Sequence, residues 1–243
     1  IVSSAEDAAA SADWFEAMSP LLAEAKVEFS RELSAMVART PDGETRAWPV
    51  VHTIQVDGVC DEVIAPALDI PVDVAAAAEN AAVRIASELG VTGVMAVELF
   101  ETPGVGAGFL INELAMRPHN TGHWTQDGSV TSQFEQHLRA ILNLPLGATD
   151  LLGPVVVMKN FLGGANQDLY SAFPAALASE PAAKVHCYGK AVRPGRKIGH
   201  VNLVGTSTAD VDSVRQRATT VADIIRNGRT HAGAMPATSE ETA

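Results

Sequence analysis

Two short apolar segments of this 243-residue chain each carry a carboxylate. The first, residues 94–100, contains Glu98, and the second, residues 110–115, contains Asn112 and Glu113. Glycines and a proline between the segments predict a hairpin turn. If the alternation of the two strands matches, both glutamates project onto one face, where their charges repel unless a cation lies between them. Magnesium suits carboxylate, amide and phosphate oxygens best, so the pair predicts a magnesium site.

The second segment runs directly into a cluster of polar side chains. Arg117, His119 and Asn120 come first, and His123 and Trp124 follow. Desolvating polar groups in such density after a buried strand is costly, so they usually face a ligand. The structural alternative is that the arginine pairs with one of the two glutamates.

A segment without any acid, residues 181–209, stands out in a chain of net charge −12. Its cations are Lys184, Lys190, Arg193, Arg196 and Lys197. Such local contrast suits a small anion such as a phosphate monoester, whereas the overall acidity argues against nucleic acid as a partner. A solvated basic turn is the structural alternative.

The first half of the chain predicts strands on either side of one clear helix. Residues 31–39 and 45–51 are expected to be strands joined by a tight turn at 40–43. Residues 71–89 predict a helix that Asp73 caps. The two acid-bearing strands follow this helix.

The second half predicts one more helix, a small β unit and a closing helix. Ser132 and Glu135 have the spacing of a capping box, which opens the first of these helices. Its core side is expected to be apolar: Phe134, Leu138, Ile141 and Leu142. Short strands follow residue 155, and the helix at 211–225 is expected to stop at Gly228. Helices combined with hairpin-connected strands indicate an α+β fold.

Composition bounds the class of protein. No apolar run approaches the roughly 20 residues that span a bilayer, so no membrane partner is expected. Cys60 and Cys187 are too few for a disulfide framework and fit a reducing cytosol, so a cytoplasmic location is expected. Each thiol is expected to be a small buried residue.

Three long blocks of sequence resemble a known family. They are residues 112–125, 131–140 and 192–203. An Asn-Glu pair on the second of two acid-bearing strands resembles the ATP-grasp ligases. The blocks resemble most closely the bacterial carboxyaminoimidazole ribonucleotide synthases of purine biosynthesis, over roughly residues 20–205.

The resemblance implies how the chain is divided. Residues 1–150 would be part of an ATP-grasp domain, residues 151–229 a small β-rich C-terminal domain, and residues 230–243 a disordered tail. Members of the family also have an N-terminal nucleotide-fold domain and a glycine-rich loop over the phosphates. This sequence contains neither and is expected to begin just after that loop.

The resemblance also implies an activity. ATP would phosphorylate bicarbonate to carboxyphosphate, which carboxylates aminoimidazole ribonucleotide, with two magnesium ions and a homodimeric enzyme. One alternative is the formate-dependent glycinamide ribonucleotide transformylase, whose Arg-Pro-His block is similar. Residues 122–124 and 193–200 favour the synthase. A second alternative is a non-catalytic ATP-grasp remnant that binds only nucleotide or a partner.

Nucleotide-binding roles follow from the resemblance. Adenine would be clasped by the main chain of a hinge formed by Glu24, Ala25, Lys26 and Val27. Glu32 would accept hydrogen bonds from ribose hydroxyls, with an exposed strand glutamate as the alternative. Gln55 occupies a position near the phosphates where relatives carry a histidine. Asn112 and Glu113 would complete the phosphate and metal site with Glu98.

Roles toward the other two substrates follow in the same way. Arg117, His119 and Asn120 would be the catalytic residues, because a guanidinium and an amide can hold a planar anion such as bicarbonate or carboxyphosphate. The 5′-phosphate of the ribonucleotide would be held by cations of the acid-free segment: Lys190, Arg193, Arg196 and Lys197.

Overall fold

The computed structural model describes residues 2, 4–11, 13–14 and 20–228. The tail predicted at 230–243 lies outside the described residues. The helices are α1 (Ala5–Ala10), α2 (Val72–Glu88), α3 (Thr125–Gly128), α4 (Gln133–Ile141), α5 (Phe173–Ser179) and α6 (Val211–Asn227). The strands are β1 (Arg31–Arg39), β2 (Thr45–Ala47), β3 (Val51–Val56), β4 (Val59–Ala65), β5 (Gly93–Glu101), β6 (Phe109–Ala115), β7 (Val155–Leu162), β8 (Lys184–Cys187) and β9 (Lys197–Gly205).

The strands form one antiparallel sheet, which confirms the predicted α+β class. Their order is β6-β5-β1-β3-β4-β7-β9-β8, and β2 pairs with the end of β1. The pairing of β4 with β7 joins strands from both sides of the predicted boundary at residue 150. The division into regions 1–150 and 151–229 therefore stays a prediction.

The strand predicted at 45–51 is interrupted, so that prediction was wrong in part. β2 ends at Ala47, and β3 begins at Val51. Pro49 lies between them, and proline has no N–H to donate to a strand ladder. The break lets β2 pair with the end of β1 and β3 with its start.

Helix α2 lies where it was predicted, but Asp73 is not its cap. Pro71 occupies the N-cap position and makes no side-chain cap hydrogen bond. Asp73 lies instead in the first turn, where its carboxylate faces the positive end of the helix dipole. The helix buries Ala78 and Ala82 against the sheet, so small side chains allow close packing.

Helix α4 presents its polar side to the core, so the predicted core face was wrong. Phe134, Leu138, Ile141 and Leu142 are exposed. Gln133 and Gln136 are buried instead, because both amides bond main-chain groups. Gln136 exchanges two hydrogen bonds of 2.8 Å with the backbone of Gly147. The predicted cap is confirmed, since the Ser132 hydroxyl accepts from the Glu135 N–H at 3.2 Å.

Strand β1 is buried on both faces, and alternate residues of the strand belong to two different core clusters. Leu33 and Val37 belong to the cluster that packs under α2. Met36 and Trp124 belong to the cluster on the opposite face. Glu32 alternates with Leu33 and so projects onto the Met36 side, where the polar cluster after β6 also lies.

The predicted C-terminal strands and closing helix are confirmed, and the structure adds helix α5, which was not predicted. Strand β9 lies between β7 and β8 and pairs with both, and α6 packs on this part of the sheet through a second core. Gly228 ends α6 in a left-handed conformation with φ 68°. Arg215 of α6 pairs with the buried Glu62 of β4, which ties the helix to the sheet. None of the helices in the described part of the chain has the length and apolar content that a bilayer span requires.

Candidate active site

Glu98 and Glu113 are direct cross-strand partners in the β5–β6 hairpin. The prediction that both project from neighbouring strands is thereby confirmed. Burial, and next the charge of Glu113, raise the pKa of Glu98 above its ordinary value. Among the described residues, no third acid, histidine or cysteine joins them to complete a metal cluster. Two facing carboxylates fit magnesium, whose remaining ligands are commonly phosphate oxygens and water.

One cavity of about 710 Å³ brings most of the predicted site residues together. Those that line it are Glu32, Gln55, Glu98, Asn112, Glu113, His119, Asn120 and Lys197. They come from β1, β3, β5, β6, β9 and the loop after β6. The sheet therefore joins the predicted nucleotide, metal and catalytic residues with one predicted phosphate-binding cation.

Gln55 lies beside Glu32 in this cavity. The two residues are on adjacent strands, β3 and β1, and the register of β3 shifts between Ile54 and Gln55. Burial raises the pKa of Glu32, and a hydrogen bond from Gln55 partly opposes that rise. Gln55 thus holds the carboxylate that is predicted to accept from ribose hydroxyls.

His119 is a neutral imidazole next to the glutamate pair. Burial, then Arg117 and Lys197, lower its pKa to about 4. Its Nε2 lies 3.5 Å from Glu98 Oε1, and its Nδ1 lies 3.0 Å from Thr121 Oγ1. A neutral ring beside a carboxylate is most stable with N–H facing it, so Nε2 carries the proton and Nδ1 accepts from the threonine.

Gln133 of α4 fixes the main chain of His119. Its Oε1 accepts from the His119 N–H, and its Nε2 donates to the His119 carbonyl, both at 2.8 Å. Sequence reasoning missed Gln133 and Thr121. The available signal was the pair of glutamines, Gln133 and Gln136, that α4 places on one side.

Asn120 is held by a second asparagine that the sequence did not single out. Asn160 of β7 is buried and exchanges hydrogen bonds of 2.8 and 3.0 Å with Asn120. Asn160 also donates to the carbonyl of Cys60 at 2.9 Å. Lys197 Nζ lies 3.3 Å from Asn120 Oδ1, so a cation and an amide meet at this end of the cavity.

The other predicted cations do not line this cavity. Arg193 and Arg196 are exposed in the turn before β9. Lys190 lines a different, smaller cavity of about 310 Å³. Arg117 is exposed, and it makes no ion pair with either glutamate in the described part of the chain, although its charge partly opposes the rise that burial and Glu113 cause in the pKa of Glu98.

The predicted adenine hinge lies outside the cavity wall. Glu24, Ala25 and Lys26 are exposed in a segment before β1 that forms neither helix nor strand. Lys26 pairs with Glu28 at 2.8 Å, and Val27 is half-buried. The role of residues 24–27 stays a prediction.

Comparison with known families decides the class of protein. The ATP-grasp domain matches residues 1–134, more than half of the sequence. The chain belongs to the ATP-grasp family. The C-terminal domain of phosphoribosylaminoimidazole carboxylase matches residues 156–214. The predicted ATP-grasp fold and the small C-terminal unit that follows it are therefore confirmed at the level of family.

Two relatives of this ATP-grasp chain are both named N5-carboxyaminoimidazole ribonucleotide synthase. The chain is 53% identical over 212 residues to the N5-carboxyaminoimidazole ribonucleotide synthase of Mycobacterium tuberculosis, covering 86% of this chain and 48% of that protein. The synthase of Corynebacterium ammoniagenes is 52% identical, covering 85% of this chain and 50% of that protein. The chain thus spans about half the length of the curated relatives it matches.

Solved structures of synthases of the same name superpose on this chain. The N5-carboxyaminoimidazole ribonucleotide synthetase of Thermus thermophilus superposes with a TM-score of 0.72 at 39% identity, covering 81% of this chain and 52% of that one. The Aspergillus clavatus synthase, solved with ADP and 5-aminoimidazole ribonucleotide, has a TM-score of 0.70 at 33% identity, covering 80% of this chain and 52% of that one.

Proposed function

We propose that this ATP-grasp chain contributes the phosphoryl-transfer site of an enzyme that carboxylates 5-aminoimidazole ribonucleotide with ATP and bicarbonate. One observation carries the proposal: the paired Glu98 and Glu113, the neutral His119, Asn120 and Lys197 meet in one cavity. The names of the relatives support the reaction. Because those relatives are about twice as long, the activity is proposed for the full-length gene product.

Glu98, Glu113 and Asn112 would hold magnesium against the ATP phosphates. When bound, the metal supplies charge neutralisation as the γ-phosphoryl group leaves. His119 contributes by position: its Nε2–H faces Glu98 and its Nδ1 accepts from Thr121, so it orients the carboxylate without adding charge. The buried Ser34 hydroxyl bonds the Thr121 hydroxyl at 2.9 Å and extends this chain of hydrogen bonds.

Bicarbonate would lie between Asn120 and Arg117. An oxygen of bicarbonate attacks the γ-phosphorus of ATP, the bond to the β-phosphate oxygen breaks, and carboxyphosphate and ADP form. No side chain need bond covalently to the phosphoryl group, so placement and charge are the protein's contributions. Asn120 is placed by its reciprocal hydrogen bonds with Asn160.

Lys197 would bind the anionic end of the ribonucleotide, and Arg193 and Arg196 are exposed in the turn just before it. Lys197 is half-buried in the cavity wall, and burial lowers its pKa. The amine of the ribonucleotide then attacks the carboxyl carbon delivered by carboxyphosphate, and inorganic phosphate leaves. The Aspergillus clavatus complex with the same ribonucleotide supports this choice of substrate.

The test is ATP-dependent phosphate release by the full-length gene product. We expect release that needs both bicarbonate and aminoimidazole ribonucleotide, and a carboxylated product. Release that needs formate and glycinamide ribonucleotide instead would establish the transformylase alternative, which the match at residues 156–214 disfavours. Nucleotide binding without turnover on either substrate pair would establish the non-catalytic alternative.

We also propose a cytoplasmic homodimer. The free thiols of Cys60 and Cys187 support a reducing compartment. The apolar face of α4, comprising Phe134, Leu138, Ile141 and Leu142, supports self-association, because exposed apolar patches commonly mark protein interfaces.

Light scattering on two matched variants tests the dimer. Leu138 and Leu89 are each 56% exposed, and only Leu138 lies on the α4 face. Leu138→Lys should convert a dimer to monomer, and Leu89→Lys should not. A monomeric wild-type protein, or a dimer that survives Leu138→Lys, would rule out this face as a dimer interface.

A further inference from the structure

Lys197 faces the proposed catalytic cavity, although the alternation of its own strand would direct it to the other face of the sheet. Val201 and Leu203 of β9 belong to the core cluster that packs with α6. Side chains two residues apart in a strand share a face, so regular alternation would put Lys197 on the α6 side as well. Lys197 lines the catalytic cavity instead, with its Nζ 3.3 Å from Asn120 Oδ1. The alternation must therefore break between Val201 and Lys197.

The break is a β-bulge where β9 pairs with β7. The residue pairs across the two strands are Phe161–Gly199 and then Leu162–Lys197. Ile198 is therefore an extra residue on β9, and it is fully buried in the cluster that packs with α6. A bulge next to an active site can re-aim a side chain in this way, and here it turns Lys197 to the cavity side of the sheet.

A tight turn, residues 193–196, leads directly into the bulge. The Arg196 N–H donates to the Arg193 carbonyl at 3.1 Å, which closes the turn. Pro194 and Gly195 are its central residues, and Gly195 has a φ of 73°. Proline followed by a glycine with positive φ is the pattern of a type II turn. The turn therefore fixes the direction in which the chain enters β9.

Gly163 holds this turn against the end of β7. Its N–H donates to the Arg196 carbonyl at 2.9 Å, and it forms an isolated bridge with Pro194. A Cβ atom at position 163 would overlap the Arg193 carbonyl oxygen and lie 2.7 Å from the Arg193 main-chain nitrogen and carbon. The requirement for glycine is steric, because Gly163 does not have a positive φ. A side chain fits at this position only if the turn moves.

We propose that Gly163 is a positioning residue for substrate binding: by holding the 193–196 turn in place, it sets the bulge that turns Lys197 into the catalytic cavity. The inference rests on the proposed function, in which Lys197 binds the anionic end of the ribonucleotide. Gly163 does not line the cavity and acts only through Lys197. Its effect is therefore on the affinity for the sugar phosphate and not on the affinity for ATP.

Gly163→Ala tests the role, and Gly164→Ala is the matched control. Gly164 also lacks a positive φ, and a Cβ atom there would lie 2.5 Å from Cγ and 2.7 Å from the carbonyl oxygen of Arg226, at the end of α6. The control therefore crowds the same segment without displacing the turn.

Steady-state kinetics of the full-length gene product compares the two variants. Gly163→Ala should raise the KM for aminoimidazole ribonucleotide at least about tenfold, because a hydrogen bond to a charged group is lost. Its KM for ATP, and both constants of Gly164→Ala, should stay within about twofold of wild type.

A double-variant cycle shows whether Gly163 acts through Lys197. In a Lys197→Met background the phosphate contact is already gone, so Gly163→Ala should add less than about twofold to the ribonucleotide KM. A residue that only supports the fold would weaken both backgrounds equally. Where Gly163→Ala fails to fold, Pro194→Gly loosens the turn without adding any atom. It should raise the same KM at least about threefold, again only when Lys197 is present.

Calorimetry with ribose 5-phosphate, without ATP, gives a second readout that needs no turnover. This probe carries the phosphate and the sugar of the proposed substrate. Gly163→Ala should bind it at least about tenfold more weakly than wild type and Gly164→Ala do. A wild type without ribonucleotide-dependent phosphate release would refute the proposed function, and the binding comparison then decides the positioning role by itself.

The positioning role is overturned if folded Gly163→Ala, or Pro194→Gly in its place, has the ribonucleotide KM and the ribose 5-phosphate affinity of wild type. It is also overturned if the KM for ATP rises as much as that for the ribonucleotide, if Gly164→Ala has the same effect, or if the effect is undiminished in the Lys197→Met background. A wild type that shows neither turnover nor binding of ribose 5-phosphate overturns it as well.

Discussion

Glu98 on β5 lies directly opposite Glu113 on β6, so the fold places two carboxylates face to face. Like charges in that position destabilise a sheet, and burial raises the pKa of Glu98 further. The β5–β6 hairpin is therefore less stable than it would be if only one of these two residues carried a charge. Such a cost fits a site whose ligand supplies the missing positive charge.

Glu113→Gln should stabilise the protein when no metal or nucleotide is present. Removing one of two repelling charges should raise the free energy of unfolding by about 0.2–1 kcal/mol at pH 7. Urea denaturation measures it, with Glu88→Gln on the exposed end of α2 as the control. A destabilised Glu113→Gln protein would mean that the pair is already compensated within the fold.

The Arg31–Glu101 ion pair should contribute far more stability than an exposed pair of equal length. Arg31 Nε lies 2.6 Å from Glu101 Oε2, with the carboxylate side chain only 10% exposed. Arg139 and Glu135 are also 2.6 Å apart, but the Glu135 side chain is 51% exposed. At pH 7, Glu101→Gln should cost about 2 kcal/mol and Glu135→Gln less than about 0.5 kcal/mol.

The Glu101 contribution should depend on pH. Burial alone would raise its pKa, but hydrogen bonds from Arg31 and Ser30 outweigh burial and hold that pKa below its ordinary value of 4.5. The stabilisation is therefore present above about pH 5 and is lost as pH falls through the lower, folded-state pKa. Denaturation of wild type and Glu101→Gln at pH 7 and pH 3 should show that the difference between their free energies of unfolding becomes smaller at the lower pH. A difference that became larger at pH 3 would mean that the pKa of Glu101 is raised on folding.

Gln136→Leu should be strongly destabilising although it makes α4 more apolar on its buried side. The substitution leaves the Gly147 N–H and carbonyl without partners, at a cost of about 2–4 kcal/mol. At protein concentrations low enough to keep the wild type monomeric, Leu138→Gln on the exposed side should change stability by less than about 0.5 kcal/mol. Thermal and urea unfolding of the two variants would reveal whether the helix is oriented as described, since the opposite ranking would require the reverse orientation.

The sequence pattern predicted the structure correctly where neighbouring segments decide it. The alternation along β5 and β6 placed Glu98 and Glu113 together, and left-handed Gly228 ended α6 as expected. In both places the deciding interaction is local: a strand pair joined by a short turn, and a helix end.

Prediction failed where the deciding partner is distant in sequence. An apolar stripe normally faces the core, but Gln133 and Gln136 of α4 bond main-chain groups supplied by other segments. Asn160 was missed for the same reason, because its partner Asn120 lies 40 residues away in the sequence. The roles of the site residues were predicted from the family resemblance, whereas the distances between them are known only from the structure.

Lys197→Met should affect the ribonucleotide substrate more than Arg196→Ala does. Lys197 lines the cavity, whereas Arg196 is exposed outside it. Losing a hydrogen bond to a charged phosphate should raise the KM for aminoimidazole ribonucleotide about 10- to 100-fold while the KM for ATP changes little. Steady-state kinetics on both variants measures this. A larger effect on ATP would place Lys197 on the nucleotide side.

Turnover of Glu113→Gln in the full-length gene product, measured across magnesium concentrations, tests the central claim most directly. The claim is that the facing glutamates hold the metal that stabilises phosphoryl transfer. We predict that kcat with ATP, bicarbonate and aminoimidazole ribonucleotide falls at least about 100-fold while the protein stays folded. Near-normal turnover at low magnesium would contradict the claim.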